Sequence, residues 1–182
     1  MRKILRWLLP VAALLAAAGC SKEHLDADRY DFDAEWAAAY YYGTDARGEV
    51  NCFQLDLAQG RTDADLDLLS SGAVVRLLIS APAAGEIALP DGLYRGSSSR
   101  ENAYTFNYGT MQADKTVLGS YVELRQGSGK QTQVLPVERG HVSVRLGKEG
   151  QYIVRAELVT GSKTVTFAYE GAIRTFDCTE PD

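Results

Sequence analysis

His24 and His141, with Glu123, Glu157 and Glu170, are the residues of this chain whose types could carry acid–base chemistry. A nucleophilic triad needs a base that a carboxylate orients beside an activated hydroxyl or thiol. Neither a Gly-x-Ser-x-Gly elbow nor a His-Glu-x-x-His signature occurs. His24 falls in a polar, acid-rich stretch, and His141 opens a β-like run whose polar face it shares with Ser143 and Arg145. That is the pattern of a solvated surface histidine. Two histidines on separate segments do not make a zinc or copper site, so no metal ligand is assigned. Glycoside hydrolysis would need two carboxylates at a fixed separation. Glu123, Glu157 and Glu170 each alternate with apolar neighbours, and Arg125 and Arg155 lie two residues from the first two, which suits solvated strand faces. The aspartates of residues 21–33 lack the turn glycine and terminal glutamate of a calcium loop. The expectation is a protein with no catalytic residue and no cofactor, hence not an enzyme.

The aromatic residues point to binding instead. Trp36 is followed by the run Tyr40-Tyr41-Tyr42, and Tyr94, Tyr104 and Tyr108 cluster later. Consecutive tyrosines on a strand must point to both faces, so at least one of Tyr40, Tyr41 and Tyr42 faces outward. An outward Tyr or Trp can stack on a sugar or anchor a protein partner; the alternative is cross-strand packing, where Tyr is simply favoured. Trp36, Tyr40, Tyr41, Tyr42 and the Ser97–Asn102 loop are therefore the expected binding residues, for a glycan or protein partner. Cys52 and Cys178 lie near opposite ends of the domain and could bridge in an oxidising compartment, or stand as separate thiols.

The elements that must position these residues are short β runs. They are Trp36–Tyr42, Glu49–Ala58, Ala73–Ala81, Ala103–Tyr108, Val117–Arg125, Gln131–Val137, His141–Leu146, Gln151–Val159 and Lys163–Phe176. Turn formers such as Pro90-Asp91-Gly92 and Thr160-Gly161-Ser162 separate them. Asn51, Phe53, Leu55 and Leu57 share one face; so do Val142, Val144 and Leu146, then Tyr152, Val154, Ala156 and Leu158, then Val165, Phe167 and Tyr169. Such alternation buries one side of a sheet and wets the other. An all-β fold follows, with an antiparallel β-sandwich of about nine strands expected and a closed, lipocalin-like up-and-down barrel as the alternative. The irregular stretch Ser80–Asn102 favours the sandwich as a crossover between sheets. Thr62–Ser70 reads as a short helix or a loop.

Ahead of these runs, Arg2, Lys3 and Arg6 precede an apolar run from Trp7 to Ala18, too short to span a bilayer. Leu15-Ala16-Ala17-Ala18-Gly19-Cys20 resembles the lipobox of bacterial lipoproteins, with Ala17 where that family usually has Leu. The resemblance implies removal of residues 1–19, acylation (palmitate included) of Cys20, and a partner in the membrane reached through that anchor. Residues 20–33 then form the lipidated cysteine and an acidic tether, and residues 34–182 a single β domain. Ser21-Lys22-Glu23 resembles only weakly the acidic export signal of surface lipoproteins, so the expected location is the outer membrane, at its periplasmic face or on the cell surface. Tyr41-Tyr42-Gly43, Asn51–Leu55, Leu89–Tyr94 and Tyr169–Ile173 resemble the layout of uncharacterised all-β surface lipoproteins of gut Bacteroidota.

Losing Arg2, Lys3 and Arg6 with the leader takes the formal charge from −5 to −8. A chain this acidic does not suit nucleic acid, which demands a basic patch. The functional expectation is an anchored, extracytoplasmic, non-catalytic binding or assembly module. The alternative is a barrel-type carrier or inhibitor that holds a small apolar ligand inside.

Overall fold

The computed structural model describes residues 29–63, 68–83, 87–126 and 131–179. The leader, Cys20 and the first part of the tether lie outside the described residues. The chain is all-β: β1 (Arg29–Asp33), β2 (Trp36–Thr44), β3 (Val50–Gln59), β4 (Gly72–Pro82), β5 (Gly92–Ser97), β6 (Thr105–Asn107) and β7 (Thr110–Met111) come first. Then follow β8 (Val117–Leu118), β9 (Tyr121–Arg125), β10 (Gln133–Pro136), β11 (Arg139–Leu146), β12 (Tyr152–Thr160), β13 (Lys163–Gly171) and β14 (Arg174–Asp177). A single 3-10 turn, Lys148–Gly150, is the helical element among the described residues.

The expected antiparallel nine-strand sandwich is not what forms. Twelve strands make one curled mixed sheet, a half-barrel in outline, and β7 and β8 form a separate hairpin. Three pairings are parallel: β1 with β13, β2 with β14, and β5 with β6. Alternation reports which face a residue occupies but not the direction of the neighbouring strand, so these pairs leave no mark in the pattern. β1 also lies within the tether as read from sequence. Its Tyr30 and Phe32 pack against the core, and acidic Asp31 and Asp33 alternate outward. The expected helix or loop at Thr62–Ser70 holds an isolated bridge between Thr62 and Leu68, and residues 64–67 lie outside the described residues.

One stretch of chain spans the two margins of the curl. β1 pairs with β13; after Ala34 and Glu35, β2 lies between β3 and β14. Ala34 N–H donates to Ala168 O at 2.7 Å and Glu35 N–H to Ala58 O at 2.7 Å, so the ladder changes partner without leaving a donor unpaired. Inside the curl, Phe53, Tyr94, Phe106, Phe167, Leu55, Leu57, Leu77 and Ile79 are fully buried. Each such side chain contributes roughly 1.5–3 kcal/mol by leaving water. Bulky rings thus fill the concave side, and functional groups must stand on the convex side or at the sheet's ends.

Candidate binding cleft

β4 is too long for one partner, and that mismatch builds a cleft on the convex face. Its first half, Gly72–Arg76, pairs with β9, and Ile79 and Ser80 pair with β6. Leu78 falls at the junction, where its N–H donates to the hydroxyl of buried Ser120 at 3.0 Å. The chain between β6 and β9 is extruded there as the β7–β8 hairpin. Its legs touch at Gly109 and Gly119: a Cβ on Gly119 would stand 2.0 Å from Tyr108 O, and Gly119 sits at φ +95°. Glycine alone fits such a crossing.

The floor comes from alternate residues of β2, β3 and β4. Register places Tyr40 beside Gln54 and Gln54 beside Leu78; one step along, Ala38, Asp56, Arg76 and Tyr121 form a row. Asp56 is fully buried and holds Arg76, whose Nε donates to Asp56 Oδ1 at 3.1 Å and whose Nη2 donates to Oδ2 at 3.2 Å. Gln54 Nε2 donates to Asp56 Oδ2 at 3.0 Å, and Arg76 Nη1 donates to Tyr121 OH at 2.6 Å. Burial pushes the Asp56 carboxyl above its ordinary value, against the opposing pull of Arg76 and Gln54. Burial likewise raises Tyr121, which keeps its proton.

Above this floor the cleft has two lobes. The larger, of about 810 Å3, runs from Gln54, Arg76 and Leu78 to Asn107, Tyr108 and Leu118 on the hairpin side. The smaller, of about 260 Å3, extends to Tyr42, Cys52 and Ser80. Gln54, Leu78 and Arg100 line both. Tyr42 is 53 % exposed, and its hydroxyl donates to Gln54 Oε1 at 3.5 Å. Leu118 is 63 % exposed, so an apolar surface stands open at either end.

Of the expected binding residues, the structure brings Tyr42 and the Ser97–Asn102 loop together, the loop through Ser98 and Arg100. The other aromatics pack. Trp36 is half-buried against Ala58, Leu68 and Val74 in a small second core. Tyr40 stacks on Phe176 with ring centroids 5.1 Å apart, and the Arg174 guanidinium lies 4.5 Å from the Phe176 ring. Tyr41 points inward onto Phe53, 5.2 Å between centroids. Cys52 and Cys178 are both free. β2 separates the strand of Cys52 from the segment of Cys178, whose N–H donates to Tyr41 O. Two strand spacings come to roughly 9–10 Å, beyond the ~7 Å that a disulfide tolerates.

A second cleft, of about 350 Å3, lies on the convex face of β1, β13, β12 and β11. Asp31, Thr166, Glu157 and His141 follow one another across it in register. Thr166 Oγ1 donates to Asp31, and this bond, against a smaller effect of burial and with help from Arg29, lowers the Asp31 carboxyl. A carboxyl held ionised is a poor general acid. Among the described residues no group of three His, Cys, Asp or Glu side chains is placed to hold a metal ion.

Gln54, Asp56, Arg76, Asn107 and Leu118 were not singled out from sequence. One signal existed: Asp56 and Arg76 are single charges inside the apolar runs Leu55–Ala58 and Val74–Leu78. Lone charges in strands that otherwise read as buried invite a search for each other. Compared with known protein families, with curated proteins and with solved structures, the chain matches none of them.

Proposed function

We propose that this chain is a lipid-anchored, extracytoplasmic recognition module, without catalysis, that binds its ligand in the convex cleft between Tyr42 and the β7–β8 hairpin. The observation that carries the reading is the cleft's composition. An open tyrosine ring, side-chain amides and guanidinium groups converge there on rigid strands, and the one carboxylate beneath them is already paired with Arg76. Such a site can orient a polar ligand but has no acid–base pair with which to cleave it.

The proposed anchor stands close to the fold in sequence. Eight residues separate Cys20 from Arg29, which at full extension reach about 30 Å. The chain thus enters the sheet at the start of β1, and Tyr42 stands at the far end of the continuing β2. An anchor at Cys20, in the outer membrane at its periplasmic face or on the cell surface, would hold the domain within that reach of the bilayer. Among the described residues, no helix is long and apolar enough to cross a membrane.

The carrier reading finds less support. Among the described residues, rings and branched side chains fill the concave side, and an opening beside Tyr30, Phe32 and Leu124, lined also by Gln59, Arg125 and Gln126, is about 190 Å3. Pockets for small ligands run from about 300 Å3 upward.

A glycan array probed with the full-length chain in nonionic detergent tests the proposal. Tyr42→Ala should weaken saturable binding about tenfold or more, as loss of an aromatic anchor does, while the melting temperature stays within a degree or two. Trp36→Ala should lower the melting temperature without removing the binding site. Binding that survives Tyr42→Ala unchanged would overturn the assignment of the cleft.

A further inference from the structure

We infer that the ligand of this cleft is an acidic oligosaccharide, and that Arg100 reads its carboxylate; the inference rests on the recognition reading above. The chain carries a net negative charge, yet neither lobe is lined by an aspartate or a glutamate. Arg76 is already neutralised by Asp56. Arg100 is different: among the described residues it forms no ion pair. The nearest acid in sequence, Glu101, is drawn off by Arg47, whose Nη1 lies 3.5 Å from Glu101 Oε2. Arg47 also gathers Asp45 and Glu49.

Arg100 is also held in place. Its carbonyl accepts from the hydroxyl of Ser80 at 2.8 Å, and Ser80 is 2 % exposed. With the Asn107 amide turned so that its oxygen faces Arg100, that oxygen accepts from Arg100 Nε at 3.3 Å, and the amide nitrogen donates to Ser97 O at 3.3 Å. Backbone and Nε are fixed while both Nη groups remain for a ligand. A guanidinium presented this way is a two-pronged donor matched to a carboxylate. Leu78 and the open face of Tyr42 offer the flat apolar surface on which a sugar ring stacks.

The sheet itself argues against an extended peptide as the occupant. Peptides dock on sheets mostly by adding a strand to a free edge. Here the centre of the floor is β3, paired with β2 on one side and β4 on the other, and at the gap in β4 between its two outer partners the Leu78 N–H is already taken by the Ser120 hydroxyl. The cleft crosses that ladder and continues to the hairpin, a span of roughly 15 Å at the spacing of strands, which is longer than one sugar ring.

The test is calorimetric titration of the full-length chain in nonionic detergent with oligouronates of four kinds. These are tetramers rich in galacturonate, glucuronate, mannuronate or guluronate, each compared with its carboxyl-reduced counterpart. At least one uronate should bind about tenfold or more tighter than its reduced form, the range expected for a charge-assisted hydrogen bond, and the preference should shrink as salt rises. Arg100→Gln should abolish the preference by weakening the uronate far more than its reduced form, and Arg100→Lys should restore part of it. Unchanged melting curves show that the variants fold. Equal affinity for acidic and reduced forms would overturn the acidic inference and leave recognition standing. Binding of peptides with a free C-terminal carboxylate, but of no saccharide, would overturn the ligand class. No binding to any panel member would overturn the acidic inference, while saturable binding on the glycan array decides the recognition reading separately.

Discussion

Asp56 and Arg76 form the polar hinge of the convex face. Asp56 is fully buried and Arg76's side chain is 24 % exposed, so the carboxylate has given up its hydration and depends on Arg76, Gln54 and their geometry. Removing one partner of a buried pair leaves the other charge uncompensated, at a typical cost of 3–5 kcal/mol. Arg76→Met would strand the fully buried Asp56 carboxyl, which burial already pushes towards its protonated form and which can shed part of the penalty by taking up a proton, so the cost should be about 2–4 kcal/mol in urea denaturation. Asp56→Asn, which keeps a hydrogen-bonding group in place, should cost less. A neutral Arg76→Met would mean that the pair is incidental to the fold. At this scale the sequence was only partly legible. Tyr42 and the 97–102 loop could be named from their residue types. That Asp56 faces Arg76 depends on a register between β3 and β4 that no pattern within either strand records.

The hairpin between β6 and β9 is the element on which the cleft depends. Read along the chain, Val117–Arg125 is one alternating run, but Gly119 at φ +95° and buried Ser120 divide it into β8 and β9. The hairpin base then closes through Ser120 N–H to Asn107 O at 3.3 Å and Val137 N–H to Ser120 O at 2.9 Å. Gly119→Ala would combine a left-handed backbone with a clash against Tyr108 O, so it should destabilise by about 1–3 kcal/mol. It should also raise amide exchange at Tyr108 and Leu118 above that of the main sheet. Wild-type stability in that variant would show that the crossing is looser than described. The buried faces were far more legible: Phe53, Leu55, Leu57, Val142, Val144, Val154, Leu158, Val165 and Phe167 are all buried as alternation requires. Leu146 breaks the pattern at 53 % exposed, because it ends its strand beyond the cover of the core.

At the scale of the molecule, a twelve-strand mixed sheet curls around a filled interior, and both ends of the described chain meet on it. β1 and β2 run parallel to β13 and β14, an arrangement invisible to alternation because parallel neighbours come from opposite ends of the sequence. A filled concave side moves function to the convex face, where one cleft carries a balanced acid, histidine and arginine lining and the other carries arginine, amide and aromatic groups without a carboxylate. The central claim is that the second of these is the binding surface. Hydrogen–deuterium exchange of the full-length chain, with and without the tightest ligand of the oligouronate panel, tests it most directly. Protection confined to segments around Tyr42, Gln54, Leu78, Asn107 and Leu118 is the predicted result. Protection centred instead on Asp31, His141, Glu157 and Thr166 would contradict the account and transfer the site to the opposite flank of the sheet.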